Sequence, residues 1–259
     1  MTPNPVRKAL LERRVCIGTW IQVGHAAVAE VLANAGFDWL CADCEHTDIG
    51  PAEFASLARG MYGRSPVPLV RVRENDTLAI RQMLDMGALG VIVPLVNTAA
   101  EAEAAVRAAK YPPQGVRGFA FHRGNNWGAD FTDYAARANA EIAVVVMIES
   151  KEAVESIDAI LAVEGVDGVF IGPYDMSGSY GLPGKTTDPV IQRACTRVVE
   201  ACRNAGKSAG IHVVLPTPES IEQAIRQGFT FIAVGVDTIF LSQGAKSALT
   251  TARQAAGTR

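Results

Sequence analysis

A small set of side chains in this sequence could do chemistry together. They are Glu149 in M-I-E-S, Asp175 in G-P-Y-D, Arg71 and Arg73 in R-V-R, the run D-C-E-H-T-D from Asp43 to Asp48, and His212 in G-I-H-V. Two carboxylates such as Glu149 and Asp175 suit a hard cation like Mg²⁺, which takes one or two protein carboxylates and completes an octahedron with water and substrate oxygens. The plainer reading is that each caps a helix or pairs with an arginine, and spacing alone does not choose between the two. The planar donor fork of Arg71 fits a carboxylate, as on a 2-oxo acid, although Arg71 or Arg73 could also form a structural ion pair. His46 lies beside Asp43 and Glu45, and this company marks it as a general base whose ring a carboxylate orients.

The remaining reactive residue types carry less. His25 and His122 fall in loops, and His212, flanked by Ile211 and Val213, suits a core position as well as an active one. Ser177 and Ser179 lack the G-x-S-x-G turn of a hydrolase. Lys151 and Lys185 have polar neighbours, unlike a Schiff-base lysine whose pKa is depressed by apolar surroundings. Cys41-x-x-Cys44 has the spacing of half a zinc site, but no second Cys pair or His-x-x-x-His follows, and strand alternation sends the two thiols to opposite faces. Cys195 and Cys202, seven apart, share a helix face with Ile191 and Val198 and read as small apolar residues.

The elements that must position these groups alternate along the whole chain. Eight β-branched runs predict strands at Val15 to Val23, Phe37 to Glu45, Val67 to Arg73, Gly90 to Val96, Ile142 to Glu149, Gly168 to Gly172, Ser208 to Val214 and Phe229 to Val236. Helical spacing recurs between them, as in Val28, Val31, Leu32 and Ala35. Pro51, Pro189 and Pro218 stand where first helical residues would, the last two behind the capping candidates Asp188 and Thr217. Gly36, Gly87, Gly165 and Gly228 close helical patterns shortly before strands, where glycine can take the left-handed C-cap conformation. Eight βα units in 259 residues predict a single-domain (β/α)8 TIM barrel. In that fold reactive groups come from the C-terminal strand ends, where Asp43, Arg71, Glu149 and Asp175 all fall; the last two belong to adjacent strands. No G-x-G-x-x-G follows the first strand and no Gly-rich loop follows the last two, which argues against nucleotides and phosphosugars.

Composition agrees with a small-molecule partner. The formal charge is −3, and basic residues are scattered rather than striped, so neither nucleic acid nor a membrane surface is expected. Met1 to Arg14 has no signal-peptide character, no run is long enough to span a bilayer, and five cysteines make no disulfide framework, so a cytoplasmic protein is expected. One connection, Lys110 to Glu141, is too long for an ordinary loop and rich in Arg, His, Asn and aromatic residues; it is either functional, contacting the aldehyde half of a substrate, or an oligomer contact.

Four blocks, F-D-W-L-C-A-D-C-E-H (Phe37 to His46), P-L-V-R-V (Pro68 to Val72), Y-P-P-Q-G-V-R-G (Tyr111 to Gly118) and the long V-M-I-E-S to Y-D-M-S stretch (Val146 to Ser177), resemble the HpcH/HpaI family of class II pyruvate aldolases. The resemblance runs in order over most of the chain. It implies a divalent metal, Mg²⁺, Mn²⁺ or Co²⁺, on Glu149 and Asp175. It also implies Arg71 on the pyruvyl carboxylate or keto oxygen, and His46 as acid and base with Asp43 or Asp85 orienting it. Gly172, Pro173, Tyr174 and Asp175 would complete the 2-oxo acid site with backbone N–H groups. The products would be pyruvate, or a close 2-oxo acid such as hydroxypyruvate, and an aldehyde. A hexamer, a trimer of dimers exchanging the last helix, Thr238 to Ala256, is implied as well. The sequence departs from the family pattern at Met147, where many members have glutamine, and in F-A-F-H-R-G-N-N-W, which holds His122 and Trp127. The alternatives are a citrate-type synthase or acyl-CoA lyase on the same site, and a barrel that only binds.

Overall fold

The computed structural model describes residues 3–257. Its eight strands are β1 (Cys16–Ile21), β2 (Trp39–Asp43), β3 (Val67–Arg71), β4 (Gly90–Val93), β5 (Ala143–Ile148), β6 (Gly168–Ile171), β7 (Ser208–Val213) and β8 (Phe231–Val236). They pair in parallel in chain order, and β8 returns to β1 to close a (β/α)8 barrel. Each predicted strand is present and shorter than its apolar run, because the ladder stops before the chain turns outward to its helix.

Side-chain alternation divides the core in two. On β5, Val144, Val146 and Ile148 pack outward against the helices, whereas Ala143, Val145 and Met147 point into the barrel. The barrel interior is filled by aromatic rings: Trp20 meets Phe170 edge-on at 5.5 Å, and Trp39 lies 4.4 Å from Phe231. The same alternation separates the C-x-x-C pair, with Cys41 inside the barrel and Cys44 under the helices.

Helix punctuation follows the sequence. Pro51, Pro189 and Pro218 begin helices, the carboxylate of Asp188 accepts from the Val190 N–H, and the Thr217 hydroxyl accepts from the Ser220 N–H. Gly36, Gly87, Gly165 and Gly228 all have positive φ. An unpredicted helix, Pro5–Glu12, plugs the N-terminal end of the barrel, sending Val6, Ala9 and Leu10 into the interior cluster. Its signal was Asn4-Pro5, a capping side chain before a first-turn proline; the Asn4 carboxamide accepts from the Val6 and Arg7 N–H groups.

The long connection folds into a turn, a 3₁₀ segment at Arg123–Gly128 and a helix at Phe131–Glu141. Arg123 donates to the carbonyls of Ala58 and Met86, at the C-terminal ends of two barrel helices. This segment therefore lies at the rim opposite the C-terminal strand ends, and in its own chain it does not meet a substrate's aldehyde half there, contrary to the expectation from its composition. The last helix, Asp237–Ala256, is 20 residues long and buries only Asp237, whose carboxylate accepts from the Gln22 and Val23 N–H groups. Among the described residues, no helix is long and apolar enough to cross a membrane.

Candidate active site

A cavity of about 660 Å³ opens at the C-terminal strand ends, with Trp20, Asp43, Arg71, Met147, Asp175 and His212 in its wall. Asp43, the last residue of β2, is fully buried and takes a two-pronged grip from Arg71: Nε donates to Oδ1 at 2.9 Å and Nη2 to Oδ2 at 2.7 Å. The register sets this pair, because Asp43 and Arg71 are direct neighbours in the β2–β3 ladder. The guanidinium also stacks over Trp20 at 4.8 Å and reaches Glu45 with Nη1 at 3.2 Å. Burial alone would raise the Asp43 pKa, but hydrogen bonds and charge from Arg71 outweigh it and hold the carboxyl below its ordinary value.

A folded-state pKa below the unfolded one stabilises the fold above the ordinary aspartate value of about 3.9, and this is lost as pH falls through the folded value. Asp43→Asn should therefore cost on the order of 1.5–3 kcal/mol at neutral pH, since it breaks a charge-assisted, buried pair. The gap to the parent protein should narrow below about pH 4. Urea titrations at pH 7 and pH 3.5 check this, and an equal gap at both would refute it.

His46 follows the strand, its side chain 60% exposed, and its Nε2 lies 3.5 Å from Glu45 Oε2. Asp43 does not orient this ring: its Oδ1 accepts only the backbone N–H groups of Glu45 and His46 in addition to Arg71. Glu45, the other carboxylate that the sequence sets beside His46, is the one at the imidazole. Asp85 is not brought here at all. It ends the helix Thr77–Asp85 at the opposite rim, where it accepts from Arg117 Nη2 at 2.8 Å with His122 Nε2 3.4 Å away. Arg73 is exposed and contacts the Cys44 carbonyl, so it makes no ion pair inside the barrel.

Glu149, one residue beyond β5, continues the inward series of Val145 and Met147. Its Oε1 accepts the Leu95 N–H at 2.7 Å. At the neighbouring Gly172 a Cβ would fall 2.9 Å from Glu149 Oε2, so only glycine leaves the carboxylate its place. Asp175 lies in the first turn of the helix Pro173–Ser179. Since the Gly172 N–H is spent on the Ile148 carbonyl and Pro173 has none, the first turn leaves the N–H groups of Tyr174 and Asp175 for a ligand.

The donor set suits a hard cation. Burial raises the Glu149 pKa, the Leu95 hydrogen bond opposes this, and the negative charges of Glu45 and Asp175 raise it further. Glu45 is raised by burial, with Asp43 and Asp175 adding to it against Arg71 and His46; its buried Oε2 is ion-paired with Arg71 Nη1 and has no hydrogen bond beyond that pairing. Mutually repelling carboxylates such as Glu149 and Asp175 are what a divalent ion neutralises. Among the described residues, no three His, Cys, Asp or Glu side chains encircle an ion. Glu149 and Asp175 would thus leave further coordination positions to water and ligand oxygens.

The other candidates sort clearly. His25 caps a helix by accepting the Ala27 N–H. Ser177 and Ser179 donate to carbonyls of their own helix. One lysine has a lowered pKa, Lys110, brought to about 8 by burial. It sits at the far rim with Nζ on the carbonyls of Asn139 and Ile142, out of reach of the cavity.

Comparison with known proteins agrees with the barrel fold. The sequence profile of the HpcH/HpaI aldolase/citrate lyase family matches residues 16–243. A 4-hydroxy-2-oxovalerate aldolase of Rhodococcus jostii (strain RHA1) is 40% identical over 93% of this chain and 92% of its own. A solved family protein from Burkholderia cenocepacia J2315 superposes with a TM-score of 0.92 at 32% identity, covering 96% of this chain and 99% of its own. A solved citrate synthase gives 0.86 at 30% identity, covering 97% and 98%. With a profile spanning nearly the whole barrel and relatives matched end to end, the chain belongs to the HpcH/HpaI aldolase/citrate lyase family.

Proposed function

We propose that this protein is a divalent-metal-dependent class II aldolase, cleaving a 4-hydroxy-2-oxo acid to pyruvate or a close 2-oxo acid and an aldehyde. The observation that carries the reading is the grouping at the C-terminal strand ends: Asp43, Arg71 and Asp175 line the cavity, with Arg71 fixed by Asp43, and the charges of Glu149, Glu45 and the exposed His46 act on one another and on these groups. Glu149 and Asp175 would hold Mg²⁺, Mn²⁺ or Co²⁺, which would supply Lewis-acid charge to the oxo acid.

With the Nε–Nη2 edge of Arg71 spent on Asp43, its remaining Nη1 and Nη2 N–H groups are the ones offered to the substrate carboxylate, while Asp43 and Trp20 keep the guanidinium from swinging away. His46 takes the C4 hydroxyl proton, with Glu45 stabilising the imidazolium that forms. The C3–C4 bond then breaks, the aldehyde departs, and the electron pair stays with C3. The same imidazolium returns the proton to C3, which balances the reaction and resets His46. Met147 lines the cavity where a glutamine would offer a hydrogen bond, so ligand oxygens on that side meet a thioether.

The nearest alternative is a synthase in which an oxo acid is the electrophile; the likeness to a solved citrate synthase supports it. Pyruvate release from 4-hydroxy-2-oxo acids, followed with and without EDTA, is set against oxaloacetate consumption with an acyl donor. Chelator-sensitive pyruvate release is the expected result, and oxaloacetate consumption alone would replace this reading with the synthase. The last helix, which touches its own barrel only through its first turn with Asp237, Ile239 and Phe240, is taken to pack on further copies in a homo-oligomer, expected to be a hexamer. Light scattering tests that assembly.

A further inference from the structure

His212 is the one histidine in the cavity wall, and its surroundings fix which nitrogen can meet a ligand. Its Nε2 lies 2.8 Å from the Gly235 carbonyl oxygen, which can only accept, so the proton sits on Nε2. Nδ1 then carries a lone pair, and among the described residues it has no protein donor. The ring rests against Trp20 at 6.2 Å, and Trp20 in turn carries Arg71 on its face. Burial, and behind it the charge of Arg71, pushes the His212 pKa down, while the Gly235 bond opposes this, so the ring stays neutral.

The strand registers put this acceptor level with the metal seat. Met147 pairs with Phe170, and Phe170 with Gly210. Two residues further along each strand come Glu149, Gly172 and His212, the next inward layer above the aromatic floor. Gly172 contributes no side chain to that layer, and the Glu149 carboxylate lies over it. A ligand held at Glu149 and Asp175 has His212 beside its oxo acid half rather than beside the aldehyde half farther out. The nearby wall includes the apolar side chains of Met147 and Phe170 and the face of Trp20, with Arg71, Asp43 and Gln22 as its other polar groups.

We propose that His212 determines specificity by accepting a hydrogen bond from a hydroxyl on C3 of the oxo acid half, so that hydroxypyruvate is preferred to pyruvate as the carbon nucleophile. This rests on the aldolase reading above. A methyl group gains nothing from the lone pair, whereas a hydroxyl satisfies it, and one neutral hydrogen bond of this kind is worth roughly three- to tenfold.

The test compares kcat/KM for hydroxypyruvate and for pyruvate with one common aldehyde, in the metal-loaded parent, in His212→Leu and in His212→Asn. Isothermal titration of the two oxo acids into the same proteins reads binding without turnover. The parent should favour hydroxypyruvate in both measurements. His212→Leu should lower the hydroxypyruvate-to-pyruvate ratio by roughly three- to tenfold. His212→Asn, which keeps an acceptor oxygen, should recover part of it. A parent without the preference, or variants whose ratios stay at the parental value, would overturn the proposal while leaving the aldolase reading intact. A parent that adds neither oxo acid to any aldehyde removes both.

Discussion

Glu149→Gln should abolish metal-dependent turnover, by about 10³-fold or more, while leaving the fold at least as stable as before. Glutamine keeps the shape and the oxygen that accepts the Leu95 N–H, so the local structure survives. What disappears is a negative charge in a buried position already repelled by Glu45 and Asp175. In the metal-free protein that removal relieves repulsion, so thermal stability should hold or rise. Two measurements separate the site from the scaffold: metal stoichiometry after dialysis against Mn²⁺, and a melting curve in EDTA. A variant that still takes up one equivalent of Mn²⁺ and turns over at the parental rate contradicts the assignment.

The second large effect is expected at His46. Removing a general acid/base typically costs 10²- to 10⁴-fold, and His46→Ala should slow turnover by about that much. The side chain is 60% exposed, so stability should change by no more than about 0.5 kcal/mol. Metal uptake should match the parent. Glu45→Gln should have a smaller effect on rate, since it leaves the base present but without its carboxylate neighbour. If His46→Ala turned over at the parental rate with the same pH profile, the proton would have to travel by another route.

Much of this was legible in the sequence because the two periodicities are strict. Strand alternation split Cys41 from Cys44, as the two core clusters show. Position at strand ends picked out Glu149, Asp43, Arg71 and Asp175. What failed was placed by resemblance or composition against the topology. Asp85 ends a helix that leads into β4, and the long connection precedes β5, so both belong to the N-terminal rim of the barrel. Glu45 lies just past β2, where alternation no longer predicts direction, and only the ring of His46 shows what it faces. The tautomer of His212 depends on a carbonyl 23 residues away. No local pattern encodes that.

The thiols carry a practical consequence. Burial lifts the pKa values of Cys16, Cys44 and Cys202 to about 12 and that of Cys41 well above its ordinary value. At pH 8 a thiol of that kind is ionised to about one part in 10⁴, and only the ionised form attacks oxidants or alkylating reagents. The protein should thus keep in air without reductant. Iodoacetamide should find first the half-buried Cys195, whose pKa is lower at about 11, so that mass spectrometry sees one carbamidomethyl group before any other.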